Sequence, residues 1–160
     1  MNNNKKGFTI VELVIVIAVI AVLAGVLIPT FSTVIENANR SAALQDASIA
    51  IQMAGIEESA ELHGKYYIVT EKYLFVYDAE GSGISDGKPK SYKDQKTTRD
   101  AVIDDCTGKK PEGQSVVYYA KSEEAAAAIL GESRYTAGTT VVVTNVDISD
   151  DLIVIGFKAE

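Results

Sequence analysis

Lys5-Lys6-Gly7-Phe8-Thr9-Ile10-Val11-Glu12 opens a stretch that then runs over residues 13–28 without a charged side chain. As an α-helix, residues 8–28 extend about 32 Å, close to the thickness of a bilayer's hydrocarbon core. One feature separates this run from an ordinary anchor. Glu12 sits inside it, and a carboxylate at the centre of a membrane helix costs about 2.5–3.5 kcal/mol on insertion scales. Such a group is tolerated when it is paired or hydrogen-bonded. Lys5 and Lys6 directly precede the run, and a basic flank stays on the cytoplasmic side, so the remainder of the chain is expected to face outward.

Three readings fit an apolar segment of this kind. A cleaved secretory signal would use the small residues around Val22 and Ala24, with cleavage before Gly25. Against it stand Glu12 within the core and a helical pattern that continues past Ile28. An uncleaved anchor would tether one outer domain. A subunit that leaves the bilayer to join a helical filament would use Glu12 as a pairing group. Phe8 and Glu12 are four apart, so pairing within one helix is geometrically open. Pairing between subunits would set axial register, as a lone polar residue does in a coiled coil. No cysteine lies in the segment, which excludes lipoprotein acylation there.

Beyond the apolar run, Phe31, Val34, Ile35, Ala38, Ala42, Leu44, Ala47, Ile51, Ala54 and Leu62 recur at roughly helical spacing, with polar residues opposite. Pro29 removes one helical hydrogen bond, and Gly25 one turn earlier lowers helix stability further, so a bend is expected near Pro29. His63-Gly64 supplies a stop signal, and His63 is read as a cap-region residue. The pattern predicts one helix over 8–63.

From there the signals change to strands. Residues 66–70 and 73–77 predict a hairpin, and 78–92 a polar loop. Residues 94–105 predict a short helix, 109–113 a turn and 116–120 a strand. A helix follows over 122–130 with Ser122 as its N-cap. Residues 139–146 and 152–157 predict a final antiparallel pair. The fold class is therefore α+β: a long bent N-terminal helix, transmembrane in its first half and amphipathic in its second, packed on an antiparallel β-sheet.

Composition narrows the function. A net charge of −7 with no basic stripe argues against nucleic acid as a partner. A single cysteine, Cys106, cannot form an intrachain disulfide, so the outer domain must hold by packing alone. No phosphate loop, zinc-protease motif or nucleophile elbow is present, and neither a cofactor nor a catalytic residue is expected. Residues 78–86 partly match a calcium loop through Asp78, Glu80 and Asp86, but Pro89 stands where the bidentate Glu would be. The eight tyrosines, mostly in expected strands, read as sheet-packing residues.

The stretch from Lys5 to Leu13 resembles the processing site of type IV prepilins and their pseudopilin relatives. The likeness is close over 6–31, follows that family's helix layout to about 63, and is architectural beyond. The resemblance implies that a membrane-embedded prepilin peptidase cuts between Gly7 and Phe8 and methylates the new amine of Phe8. It implies that Glu12, fifth in the mature chain, meets the Phe8 amine of a neighbouring subunit. Pro29 falls where many members carry proline. One cysteine departs from the C-terminal cysteine pair of many Gram-negative members.

On this reading the chain divides into a leader (1–7), a transmembrane and filament-core helix (8–28), its amphipathic continuation (29–63) and a β-rich head (64–160). Its expected function is that of a structural subunit of a type IV pilus or pseudopilus serving motility, adhesion, secretion or DNA uptake. The implied partners are other pilin subunits, the peptidase/methyltransferase, a membrane platform with its cytoplasmic ATPase, and the bilayer itself. The expected location is the cytoplasmic membrane as precursor and an extracellular filament when assembled. The alternative is a membrane-tethered extracellular binding module that never polymerises.

Overall fold

The computed structural model describes residues 7–57, 64–81, 83–85, 91–92, 97–131, 133–136, 141–143 and 148–159. Lys5, Lys6, His63, Asp86 and the expected helix end over 58–63 lie outside them. Two compact units result, Met1–Asn39 and Arg40–Glu160.

The first unit holds the beginning of helix α1 (Ile10–Glu57). Its large apolar side chains lie open, Phe8 at 90% exposure and Phe31 at 59%. It is long and apolar enough to cross a membrane. α1 passes through Pro29 as one element. Proline has no N–H for the Gly25 carbonyl one turn back. The hydroxyls of Thr30, Ser32 and Thr33 donate to the carbonyls of Val26, Ile28 and Pro29 at 3.0, 3.2 and 3.2 Å.

In the second unit a six-stranded sheet has the order β3-β2-β1-β6-β4-β5, with β1 (Lys65–Val69), β2 (Leu74–Asp78), β3 (Gly83–Ser85), β4 (Gln114–Ala120), β5 (Val141–Val143) and β6 (Ile153–Ala159). Alternation along each strand sends side chains to opposite faces. One face gathers Tyr66, Ile68, Phe75, Tyr119 and Val154 against Ala47, Ala50, Ile51 and Ala54 of α1. Small alanines on the helix meet large aromatics on the sheet, so the two surfaces interdigitate. The other face gathers Tyr67, Val69, Tyr118, Ile153 and Ile155. Helices α2 (Arg99–Thr107) and α3 (Glu123–Leu130) cover that side through Val102, Ile103, Cys106, Ile129 and Leu130.

Both short helices start on a capping hydroxyl. Thr98 accepts from the Ala101 amide at 3.3 Å, and Ser122 accepts from Ala125 at 3.1 Å. Arg134 joins them. It binds Asp104 at 2.8 Å and Asp100 at 3.3 Å on α2, and donates to the Leu130 carbonyl at the end of α3 at 3.2 Å. Tyr92 is buried, and its hydroxyl proton is shared between the carbonyls of Thr70 and Glu71, pinning the turn between β1 and β2.

Three expectations need correction. Residues within 139–146 and 152–157 do not pair with each other: β5 runs parallel to β4, and β6 lies between β1 and β4, antiparallel to both. The α3 crossover between β4 and β5 is the physical reason, since a helical connection returns the chain in the same direction. The stretch 78–92 is not all loop, because β3 pairs with β2 through Tyr77↔Ile84. On α1, Ala42 is exposed and Ala43 packs against the core instead. The tyrosines do belong to the sheet and core: Tyr66, Tyr67, Tyr73, Tyr92, Tyr118 and Tyr119 are all buried.

Candidate functional site

Gly7, Phe8 and Thr9 are non-helical, and α1 begins at Ile10. Thr9 is therefore the N-cap and Glu12 the third helical residue. The Glu12 amide donates to the Thr9 hydroxyl at 3.3 Å. In return Glu12 Oε2 accepts from the Thr9 amide at 2.8 Å and from the Thr9 hydroxyl at 2.8 Å. This reciprocal pair is a capping box, which satisfies two donors that a helix start otherwise leaves open. The carboxylate also lies at the positive end of the helix dipole.

Both bonds converge on Oε2. Among the described residues, Glu12 Oε1 accepts no hydrogen bond, and the side chain is exposed. The site thus offers one occupied and one open carboxylate oxygen, three residues from the Phe8–Thr9 peptide. Sequence reasoning singled out Glu12 but not Thr9. The signal was present as Thr9-Ile10-Val11-Glu12, a threonine followed three residues later by a glutamate at the head of an apolar run.

The glycines here are informative by what the chain does not demand of them. A Cβ built on Gly7 or on Gly25 meets nothing within 4 Å, and neither has a positive φ. Among the described residues, no steric or conformational need explains glycine at either position. Gly25 sits mid-helix, where glycine costs about 1 kcal/mol relative to alanine.

Of the calcium candidates, Asp78 and Glu80 are described and Asp86 lies outside the described residues. Asp78 Oδ1 is used by the Glu80 amide at 3.1 Å, in the turn that joins β2 to β3. Among the described residues no group of three His, Cys, Asp or Glu side chains converges. Cys106 is a free, buried thiol whose pKa burial pushes up to about 11.

Residues 2–28 match the family model of the prokaryotic N-terminal methylation motif. Over 36 residues the chain is 58% identical to the type IV wide pilus major component PilA4 of Thermus thermophilus. That stretch is 22% of this chain and spans 28% of the relative's length. No solved structure matches the chain. The matched motif, residues 2–28, takes in both the capping box of Thr9 and Glu12 and the apolar run that follows it.

Proposed function

We propose that the chain is a structural subunit of a type IV pilus or pseudopilus filament. Prepilin peptidase cuts the precursor between Gly7 and Phe8 and methylates the amine of Phe8. The apolar helix that begins at Phe8 holds the precursor in the cytoplasmic membrane and later packs against neighbouring helices in the filament core, with the head (64–160) on the outside. A membrane platform and a cytoplasmic ATPase drive the transfer, and burial between subunits keeps the apolar helix out of water once it has left lipid. The chain carries out no catalysis of its own.

The observation that carries this reading is the open Oε1 of Glu12, four residues from Phe8 in a matched methylation motif. A carboxylate whose second oxygen is unbonded can receive a second donor, and the amine of a cleaved neighbour is a cation of suitable charge. The exposed, non-helical Gly7–Phe8 link supports peptidase access, and a glycine the fold does not require supports a requirement set by an enzyme. Pro29 and Gly25 mark the part of the helix most easily reshaped on packing.

Shearing cells and measuring the N-terminus of the released material by mass spectrometry tests the reading. A methylated Phe8 start in high-molecular-weight material is the expected result. A start at Gly25 would show a secreted domain instead, and an intact Met1 confined to membranes would show a tethered module.

A further inference from the structure

Glu12 and Glu36 bracket the apolar part of α1, and residues 13–35 between them carry no charge. The stretch holds three hydroxyl residues, Thr30, Ser32 and Thr33, beyond the point where hydropathy alone ends the segment. All three hydroxyls are turned back onto the helix's own carbonyls, at 3.0, 3.2 and 3.2 Å. A hydroxyl bonded inside its own helix does not require water, and Ser and Thr near a proline re-satisfy helix backbone in this way in lipid. Around them Phe31, Val34 and Ile35 are exposed at 59, 58 and 57%. The turn after Pro29 therefore presents large apolar side chains outward while its hydroxyls are satisfied within the helix.

Length decides the placement. Twenty-three residues, 13–35, extend about 34 Å as a helix, enough to cross a hydrocarbon core of about 30 Å with some tilt. A span over 8–28 has similar length but puts Glu12 inside the hydrocarbon and leaves Phe31, Val34 and Ile35 in water. Starting the span five residues later and ending it seven later removes both penalties at once.

We infer that, in the unassembled precursor, the lipid-embedded segment is 13–35, with Phe31, Val34 and Ile35 packed among outer-leaflet acyl chains and Glu12 at the cytoplasmic interface. Pro29 then lies within the outer leaflet and not at the membrane exit. The inference rests on the reading of the chain as a membrane-held precursor, and it assigns what that precursor's outer turn touches.

The test uses the full chain in phosphatidylcholine–phosphatidylglycerol vesicles, with a nitroxide label on Val19→Cys, Val34→Cys or Asn39→Cys. Cys106 is fully buried and stays unlabelled. Collision of each label with oxygen reports lipid, and collision with a water-soluble nickel chelate reports water. The expected result is an oxygen-to-nickel ratio at 34 that is below the one at 19, since 34 lies near the outer end of the span, and several-fold above that at 39. A ratio at 34 equal to that at 39, with 19 still in lipid, overturns the inference and leaves the membrane reading standing. Low accessibility to both probes at 34 shows a second copy covering the turn, and also overturns it. A label at 19 that collides mainly with nickel removes the membrane reading and the inference together.

Discussion

The Glu12 carboxylate closes back on Thr9, taking both the amide and the hydroxyl of that residue at 2.8 Å through a single oxygen. A carboxylate already fixed by its own helix presents its free oxygen in one direction and has lost little rotamer freedom to spare. Thr9→Val keeps the shape of residue 9 and deletes the hydroxyl. Loss of such a cap costs about 1 kcal/mol, so exchange of the Glu12 and Leu13 amides in micelles should speed up about fivefold. Unchanged exchange would show that the box does not hold the helix start. Glu12→Ala should in addition leave the chain in the membrane and abolish sheared filaments, and normal filaments from that variant would remove the assembly role.

Gly156 in β6 carries the ring of Tyr66. A Cβ at that position would lie 2.6 Å from Tyr66 Cε1 and 2.9 Å from Cδ1, and Tyr66 is buried in the core. Gly156→Ala should destabilise the head by about 1–3 kcal/mol, as overpacking does. The same substitution made on a Tyr66→Leu background should cost markedly less. Equal costs on the two backgrounds, measured by urea unfolding of the full chain in detergent, would show that the ring is not what excludes the methyl.

Tyr92→Phe removes the hydroxyl that pins Thr70 and Glu71 while keeping the buried ring. A carbonyl left unsatisfied by such a deletion costs about 1–3 kcal/mol. The loss should appear as a lowered thermal midpoint together with faster amide exchange at Tyr73, whose own N–H bonds Thr70 Oγ1 at 3.0 Å in the same turn. An unchanged midpoint would sink this account of the turn.

Alkaline pH should loosen the head. Burial pushes the Cys106 thiol from 9.0 up to about 11, and burial likewise pushes the Tyr92 phenol from 10.0 up to about 12. In both cases the folded chain holds its proton more tightly than the unfolded chain does. The stability each contributes is complete below its unfolded value and is lost as pH rises through the folded one. Thermal midpoints should therefore be flat to about pH 9 and fall steeply from there to 12. Cys106→Ala should flatten the first part of that fall, between pH 9 and 11. A wild-type profile flat to pH 12 would contradict it.

The long helix, the β1–β2 hairpin and the Ser122 cap were legible because each is written locally. Apolar residues recur at helical spacing, aromatic runs flank a four-residue turn, and a serine precedes two glutamates and an alanine run. The pairing of β5 and β6 was not legible, because adjacency along the chain suggests a hairpin. Only the α3 crossover and the long-range partnership of Ile155 with Tyr67 and Tyr118 direct the two strands elsewhere. Arg134 was missed for a similar reason. Its partners Asp100 and Asp104 lie some thirty residues away, and only the like charges four apart on α2 hinted that a cation would be needed there. At the site, Glu12 stood out by its cost in hydrocarbon, whereas Thr9 is inconspicuous until the helix start is located.

The position of β6 has a consequence for how the head comes into being. It is the last of the described strands, yet it joins the β1–β2–β3 half of the sheet to the β4–β5 half. A chain threaded outward from its basic N-terminal end would present five strands as two separate pieces, each with an open hydrogen-bonding edge, until 153–159 emerged. Closing β1 onto β6 spans nearly the whole head, and such long-range pairing is slow to form. Completion of the sheet therefore waits on residues 153–159, and until they arrive β1 and β4 each keep an unpaired edge open to any other strand.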